Sequence, residues 1–145
     1  MTGETTMLTL DQARKIISTT FAKGAEMGLK PLSVVVLDAG GNLKAFERQD
    51  GASPGRFAIA QGKAYGAVMT GMPGSAQMAR AEEQAYFMAA LNGAFGGQVV
   101  PVPGGILVDQ SGVVIGAVGV TGDTSDNDAA AGMAGIEAAG LSGRA

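Results

Sequence analysis

The chain has 145 residues, 46% hydrophobic and 16% charged, with a net charge of -3. That balance fits one folded domain and excludes a disordered chain. It holds no Cys and no His, so disulfides, thiolate zinc sites, a Cys nucleophile and a Ser-His-Asp triad are excluded. The acidic balance argues against a nucleic-acid partner, and no run approaches the ~20 apolar residues of a membrane span.

Residues 1–7 are expected to form a flexible N-terminus, and 8–145 a single domain. The opening MTGETTMLTL lacks the pattern of an export signal, so a cytoplasmic protein is expected. Thr9-Leu10-Asp11-Gln12 reads as a capping box, with Thr9 as N-cap and Gln12 three residues on. Apolar or small residues recur at Ala13, Ile16, Ile17, Thr20, Phe21, Gly24 and Met27, the stripe of an amphipathic helix that stops at Gly28. The β-branched run Leu32–Leu37 predicts a buried strand. Turn residues 38–42 and the alternating Leu43–Arg48 complete a hairpin.

Ser53-Pro54 predicts a helix start, with Ser53 as N-cap and a helix from Gly55 to about Met69. Its Ala and Gly content suits close backbone approach. Met72-Pro73-Gly74 breaks it, and Ser75 caps a second helical stretch to about Leu91. Residues 92–97 are read as loop and Val99–Val102 as a short extended piece. Ile106–Asp109 pairs with Val113–Val120 across Gln110-Ser111-Gly112, a second hairpin. Residues 121–127 form a polar loop, and Asp128–Ala139 a last helix with Gly140 at its C-cap. Hairpins imply antiparallel pairing, so an antiparallel sheet packed by helices is expected, an α+β domain of three layers.

Several motifs carry chemistry. Pro103-Gly104-Gly105 is either a tight turn or a place where a ligand approaches bare backbone. Residues 119–128, GVTGDTSDND, run from a strand through a loop to a helix start. There Ser125 or Asp126 is expected to cap the helix, leaving Thr121 and Gly122 to face a ligand. The three acids at 123, 126 and 128 lack the loop Gly and terminal Glu of an EF-hand, and no metal site is expected. Asp38 ends one strand and Arg48 its partner, so both are expected at one edge of the sheet. Lys63 is an isolated charge on a helix of small residues, either ion-paired to an acid or holding an anion. Tyr65 and Tyr86 either pack or give a polar handle to an apolar pocket.

Leu37-Asp38-Ala39-Gly40-Gly41, Arg48-Gln49-Asp50-Gly51-Ala52, Lys63-Ala64-Tyr65, Pro103-Gly104-Gly105-Ile106 and Gly116-Ala117-Val118-Gly119-Val120-Thr121-Gly122 occur in the order of the GlcG/HbpS-like family. From about Leu8 to Leu141 the chain resembles that family. The resemblance implies a profilin-like α+β fold, a five-stranded antiparallel sheet flanked by helices. It also implies homo-oligomers, from dimers up to octamers, and haem as a candidate ligand. The iron-ligating His of the cobalamin-associated relatives has no counterpart here. Haem would have to be held through propionate contacts to Lys or Arg, or by a Thr or Tyr oxygen.

Two functional expectations follow. One is a small-ligand-binding protein, its anionic ligand touching Arg48, Lys63, Tyr65, Gly104, Gly105, Thr121 and Gly122. The other is a cofactor-independent isomerase, hydratase or hydrolase acting on a small carboxylate. In it, Arg48 or Lys63 clamps the substrate, the backbone amides of Gly104, Gly105 and Gly122 donate to an oxyanion, and Asp38 or Asp128 moves a proton. A ligand-free oligomeric scaffold, with the Ala/Gly-rich helices as subunit contacts, is a third reading.

Overall fold

The computed structural model describes residues 7–145, so of the expected N-terminal segment only Met7 lies among the described residues. The first helix, α1 (Leu10–Met27), begins as its sequence dictates. The Thr9 hydroxyl accepts from the Gln12 amide and the Gln12 side chain accepts from the Thr9 amide. Gly28 ends it in the left-handed region, at φ 71°.

The strands are β1 (Ser33–Asp38), β2 (Leu43–Arg48), β3 (Gly105–Gln110), β4 (Val113–Thr121) and β5 (Ser142–Arg144). They form one antiparallel sheet in the order β2-β1-β4-β3-β5. The β3–β4 hairpin turns on Ser111 and Gly112, both at positive φ. Against one face lie α1 and the last helix, α5 (Ser125–Ala138), burying Val34, Val36, Ile106, Val118 and Val120 of the sheet. The other face takes α2 (Arg56–Thr70), whose Ala60, Ala64 and Ala67 pack on Val35, Leu37, Leu107 and Ala117. The architecture is profilin-like α+β, with a five-stranded antiparallel sheet between helical layers.

That second layer is set by backbone contact. A Cβ at Gly119 would collide with the Ala60 carbonyl, and one at Gly105 with the Lys63 carbonyl. Small residues on α2 and glycines on β3 and β4 thus bring helix and sheet together closely, where dispersion contacts are densest.

Several local expectations are corrected. Ser53 does not cap α2; its carbonyl accepts from the Arg56 amide in a turn, and the helix starts one residue after Gly55. Nor does Ser75 act as a cap: α3 (Gly74–Glu83) begins directly after Pro73, and the Ser75 hydroxyl donates to the Ala145 carbonyl. The stretch to Leu91 is two helices, since Gln84 (φ -139°, ψ 67°) separates α3 from α4 (Ala85–Ala94), which consumes part of the expected 92–97 loop. The piece Val99–Val102, read only as extended, stays outside the sheet, its Val100 amide donating to the Gly62 carbonyl of α2. α5 starts at Ser125, capped by the Thr124 hydroxyl on the Asn127 amide rather than by Ser125 or Asp126. β5 has no signature along the chain, because Ser142-Gly143-Arg144 carries no apolar pattern and pairs only through β3.

Candidate ligand-binding site

At one end of the sheet β4 finishes at Thr121, beside Ser33, the first residue of β1, which in turn faces Arg48, the last of β2. Three connections converge at this end: residues 28–32 entering β1, 49–55 leading to α2, and 122–124 leading to α5. Between them lie two adjoining open clefts. One, of about 360 Å³, is lined by Lys30, Arg56, Gly122, Asp123 and Thr124. The other, of about 250 Å³, shares Lys30, Arg56 and Gly122 and adds Pro31, Gly51, Ala52 and Ser53.

Arg56, in the first turn of α2, is half-buried and aimed by one bond, from Nη1 to the Thr121 hydroxyl at 2.8 Å. Among the described residues neither Arg56 nor Lys30 forms an ion pair. Asp123 is held by three donors: the Asn127 side-chain amide (2.8 Å), the Lys30 backbone amide (3.0 Å) and its neighbour's amide at Thr124 (2.9 Å). Those bonds, the Asn127 one foremost, pull its pKa down to about 2. Gly122 is a glycine because a Cβ would collide with the Pro31 carbonyl.

Beneath the clefts runs a cross-layer ion pair. Lys63 is 3% exposed and Asp128 1%. Lys63 Nζ lies 3.2 Å from Asp128 Oδ2 and donates to the Val120 carbonyl at 3.0 Å, reaching from α2 past the end of the sheet to α5. Gly104 opens its path: a Cβ there would lie 2.9 Å from Lys63 Nζ and 2.5 Å from the Val120 carbonyl oxygen. Asp128 Oδ1 accepts from the Asp123 amide at 2.9 Å, so the pair also braces the cleft wall. Burial pushes the Lys63 pKa down and that of Asp128 up, each opposed by the other's charge.

Of the residues picked from sequence, Gly122 lines the clefts, while Thr121 is buried behind them and reaches the site only by accepting from Arg56. Lys63 and Asp128 take the ion-pair alternative, sealed below. Gly104 and Gly105 are buried against α2, so their lack of side chains serves packing. The expectation that Asp38 and Arg48 share a sheet edge is corrected. In an antiparallel hairpin the end of β1 meets the start of β2, so Asp38 faces Gly116 while Arg48 faces Ser33, at opposite ends. Asp38 closes its own turn, accepting from the Gly40 and Asn42 amides. Tyr65 packs at that far end too, edge-on to Phe95 and over Gly41. Arg48 donates to the Ala52 carbonyl at 2.6 Å and lines a neighbouring hollow of about 540 Å³ with Phe21, Lys30, Glu47 and Asp50.

Arg56, Lys30 and Thr124 carry no motif that marks them as ligand contacts in the sequence, and Asp123 stands out there only as one of three acids in the loop. Arg56 had one indirect cue: it precedes Lys63 by seven residues, two helical turns, on the same face. Lys30 had none, since its approach to Gly122 depends on strand order. Among the described residues no three His, Cys, Asp or Glu converge as a metal site, and no helix is long and apolar enough to cross a membrane.

The fold, with its glycine-bordered strand ends, is that of the GlcG/HbpS type of ligand-binding domain. The chain belongs to the HbpS-like family, whose model, described as haem degrading protein HbpS-like, matches residues 8–137. An uncharacterised 15.0 kDa protein from the dhaT-dhaS intergenic region of Citrobacter freundii is 32% identical over 121 residues, covering 83% of this chain and 84% of that one. A double mutant of Streptomyces reticuli HbpS is 28% identical with a TM-score of 0.77, over 94% of this chain and 89% of that one. A crystallised PduOC–haem complex, 20% identical, shares the fold with a TM-score of 0.83 over 93% of this chain and 96% of that one.

Proposed function

We propose that the chain is a small-ligand-binding protein whose ligand presents a carboxylate to Arg56 and Lys30. One observation carries this reading: two cations without ion-pair partners among the described residues line one cleft. A guanidinium already oriented by Thr121 keeps further N–H groups for a carboxylate, which it can hold through two parallel bonds. Binding accounts for the site better than catalysis, because Lys63 and Asp128, with their altered proton affinities, are buried and committed to each other.

Haem, the ligand of the PduOC complex, also carries carboxylates. The cleft's donors suit its propionates. They offer its iron neither imidazole nor thiolate, and the buried Lys63 amine is engaged by Asp128 and Val120. Haem whose iron is held by imidazole or thiolate therefore does not fit these residues, and an oxygen of Thr or Tyr would have to serve instead. The protein acts in the cytoplasm as a homo-oligomer, dimer-based and up to octameric; the uncharged α4, with Tyr86 72% exposed, suits a subunit contact.

Titration with propionate, followed through backbone amide resonances, tests the assignment. Shifts are expected at Gly122, Asp123 and Thr124 and should vanish in Arg56→Ala. An unchanged response in that variant, or silence in the parent protein, would refute it.

A further inference from the structure

The cleft that holds Arg56 and Lys30 also has an acidic wall, and its hydrogen-bonding capacity is not used up. A carboxylate offers about four acceptor positions. Asp123 Oδ1 fills two, with the Thr124 amide and the Asn127 side chain, while Oδ2 accepts only from the Lys30 backbone amide. One acceptor position on a cleft-lining residue is therefore left for a donor. On the cationic side, Arg56 spends one N–H on Thr121, and the Lys30 ammonium forms no hydrogen bond or close ion pair among the described residues, its charge acting on Asp123 from farther off. The Thr124 oxygen accepts from the Asn127 amide at 3.3 Å, which keeps its O–H free to donate.

A simple carboxylate would satisfy the two cations and face Asp123 with a second negative charge. Resting on the carboxylate site proposed above, we infer that Asp123 is a specificity-determining residue and that the preferred ligand is a short hydroxy acid. Its carboxylate meets Arg56 and Lys30, and its hydroxyl donates to Asp123 Oδ2. Charge selects hydroxyl over ammonium. Two cations and one carboxylate leave the cleft with one net positive charge, which a hydroxy monocarboxylate neutralises. A zwitterionic amino acid would leave that positive charge uncompensated, and a dicarboxylate would set its second anion against Asp123.

Four probes on one carbon skeleton test this: propionate, lactate, the O-methyl ether of lactate, and alanine. Affinities are measured on the full chain by amide-shift titration. Lactate should bind about tenfold more tightly than propionate, the scale of one hydrogen bond to a charged acceptor. The ether should lose that gain, and alanine should bind more weakly than lactate. In Asp123→Asn the lactate-to-propionate ratio should fall to within about twofold. If no probe binds, the carboxylate site falls and this inference with it. If propionate and lactate bind alike, or alanine exceeds lactate, the inference alone fails. Because the ligand series is read on the unaltered protein, it decides the matter even if Asp123→Asn does not fold.

Discussion

Replacing Lys63 by Met removes the ammonium while keeping an unbranched side chain of similar length. Asp128, 1% exposed, then loses its ion-pair partner and keeps only the Asp123 amide as a donor. Breaking a buried pair from one side costs about 3–5 kcal/mol, a large share of the ~5–15 kcal/mol that holds a domain folded. The double variant Lys63→Met/Asp128→Asn leaves no buried charge and should recover a good part of that loss. The penalty depends on pH with a definite sign. Burial already raises the Asp128 pKa above its ordinary 3.8, and loss of the lysine raises it further. A carboxyl raised in the folded state favours folding in its protonated form, so the contribution is fully present below 3.8 and lost as pH climbs through the folded value. The deficit of the single variant should thus be greatest at neutral pH and shrink on acidification. Urea unfolding followed by circular dichroism reads both effects. A cost below about 1 kcal/mol at neutral pH, or one that does not change with pH, would refute a sealed pair.

Three further outcomes are expected. Gly119→Ala drives a methyl into the Ala60 carbonyl and should lower Tm by at least about 3 °C; an unchanged Tm would mean a wider gap between α2 and β4. Thr9→Ala removes the capping box of α1 and should cost about 1 kcal/mol in denaturant unfolding, whereas Thr9→Ser should stay near the parent. Asn127→Ala removes the foremost cause of the low Asp123 pKa, so the carboxyl should titrate above about 2 and closer to 3.8 by carboxyl-carbon NMR. Because the folded value is the depressed one, the stability Asp123 contributes is present above pH 3.8 and fades as pH falls through about 2.

The elements that short-range chemistry specifies were legible along the chain. The capping box at Thr9 and Gln12, the β-branched run before Asp38 and the Ser111-Gly112 turn each determine their own backbone, and each formed where expected. The break at Gln84 carries neither Pro nor Gly, and β5 has no apolar alternation, so both arise from contacts made elsewhere in the chain. The site divides in the same way. Thr121 and Gly122 announced themselves as a strand end meeting a helix start. Asp38 and Arg48 each close a strand, yet the antiparallel register sets them at opposite ends of the sheet, which position along the chain does not reveal. Lys30, in the connection before β1, and Arg56, which begins α2 26 residues later, become neighbours only once β4 is placed next to β1.

The seam between α2 and the sheet has an evolutionary corollary. Where two side chains collide, trimming one can rescue an enlargement of the other. At Gly119 and Gly105 the opposing atoms are the carbonyls of Ala60 and Lys63, which no substitution can shorten. A side chain gained at either position therefore has no second-site suppressor in its immediate partner, and could be accommodated only by a rigid-body displacement of the whole helix.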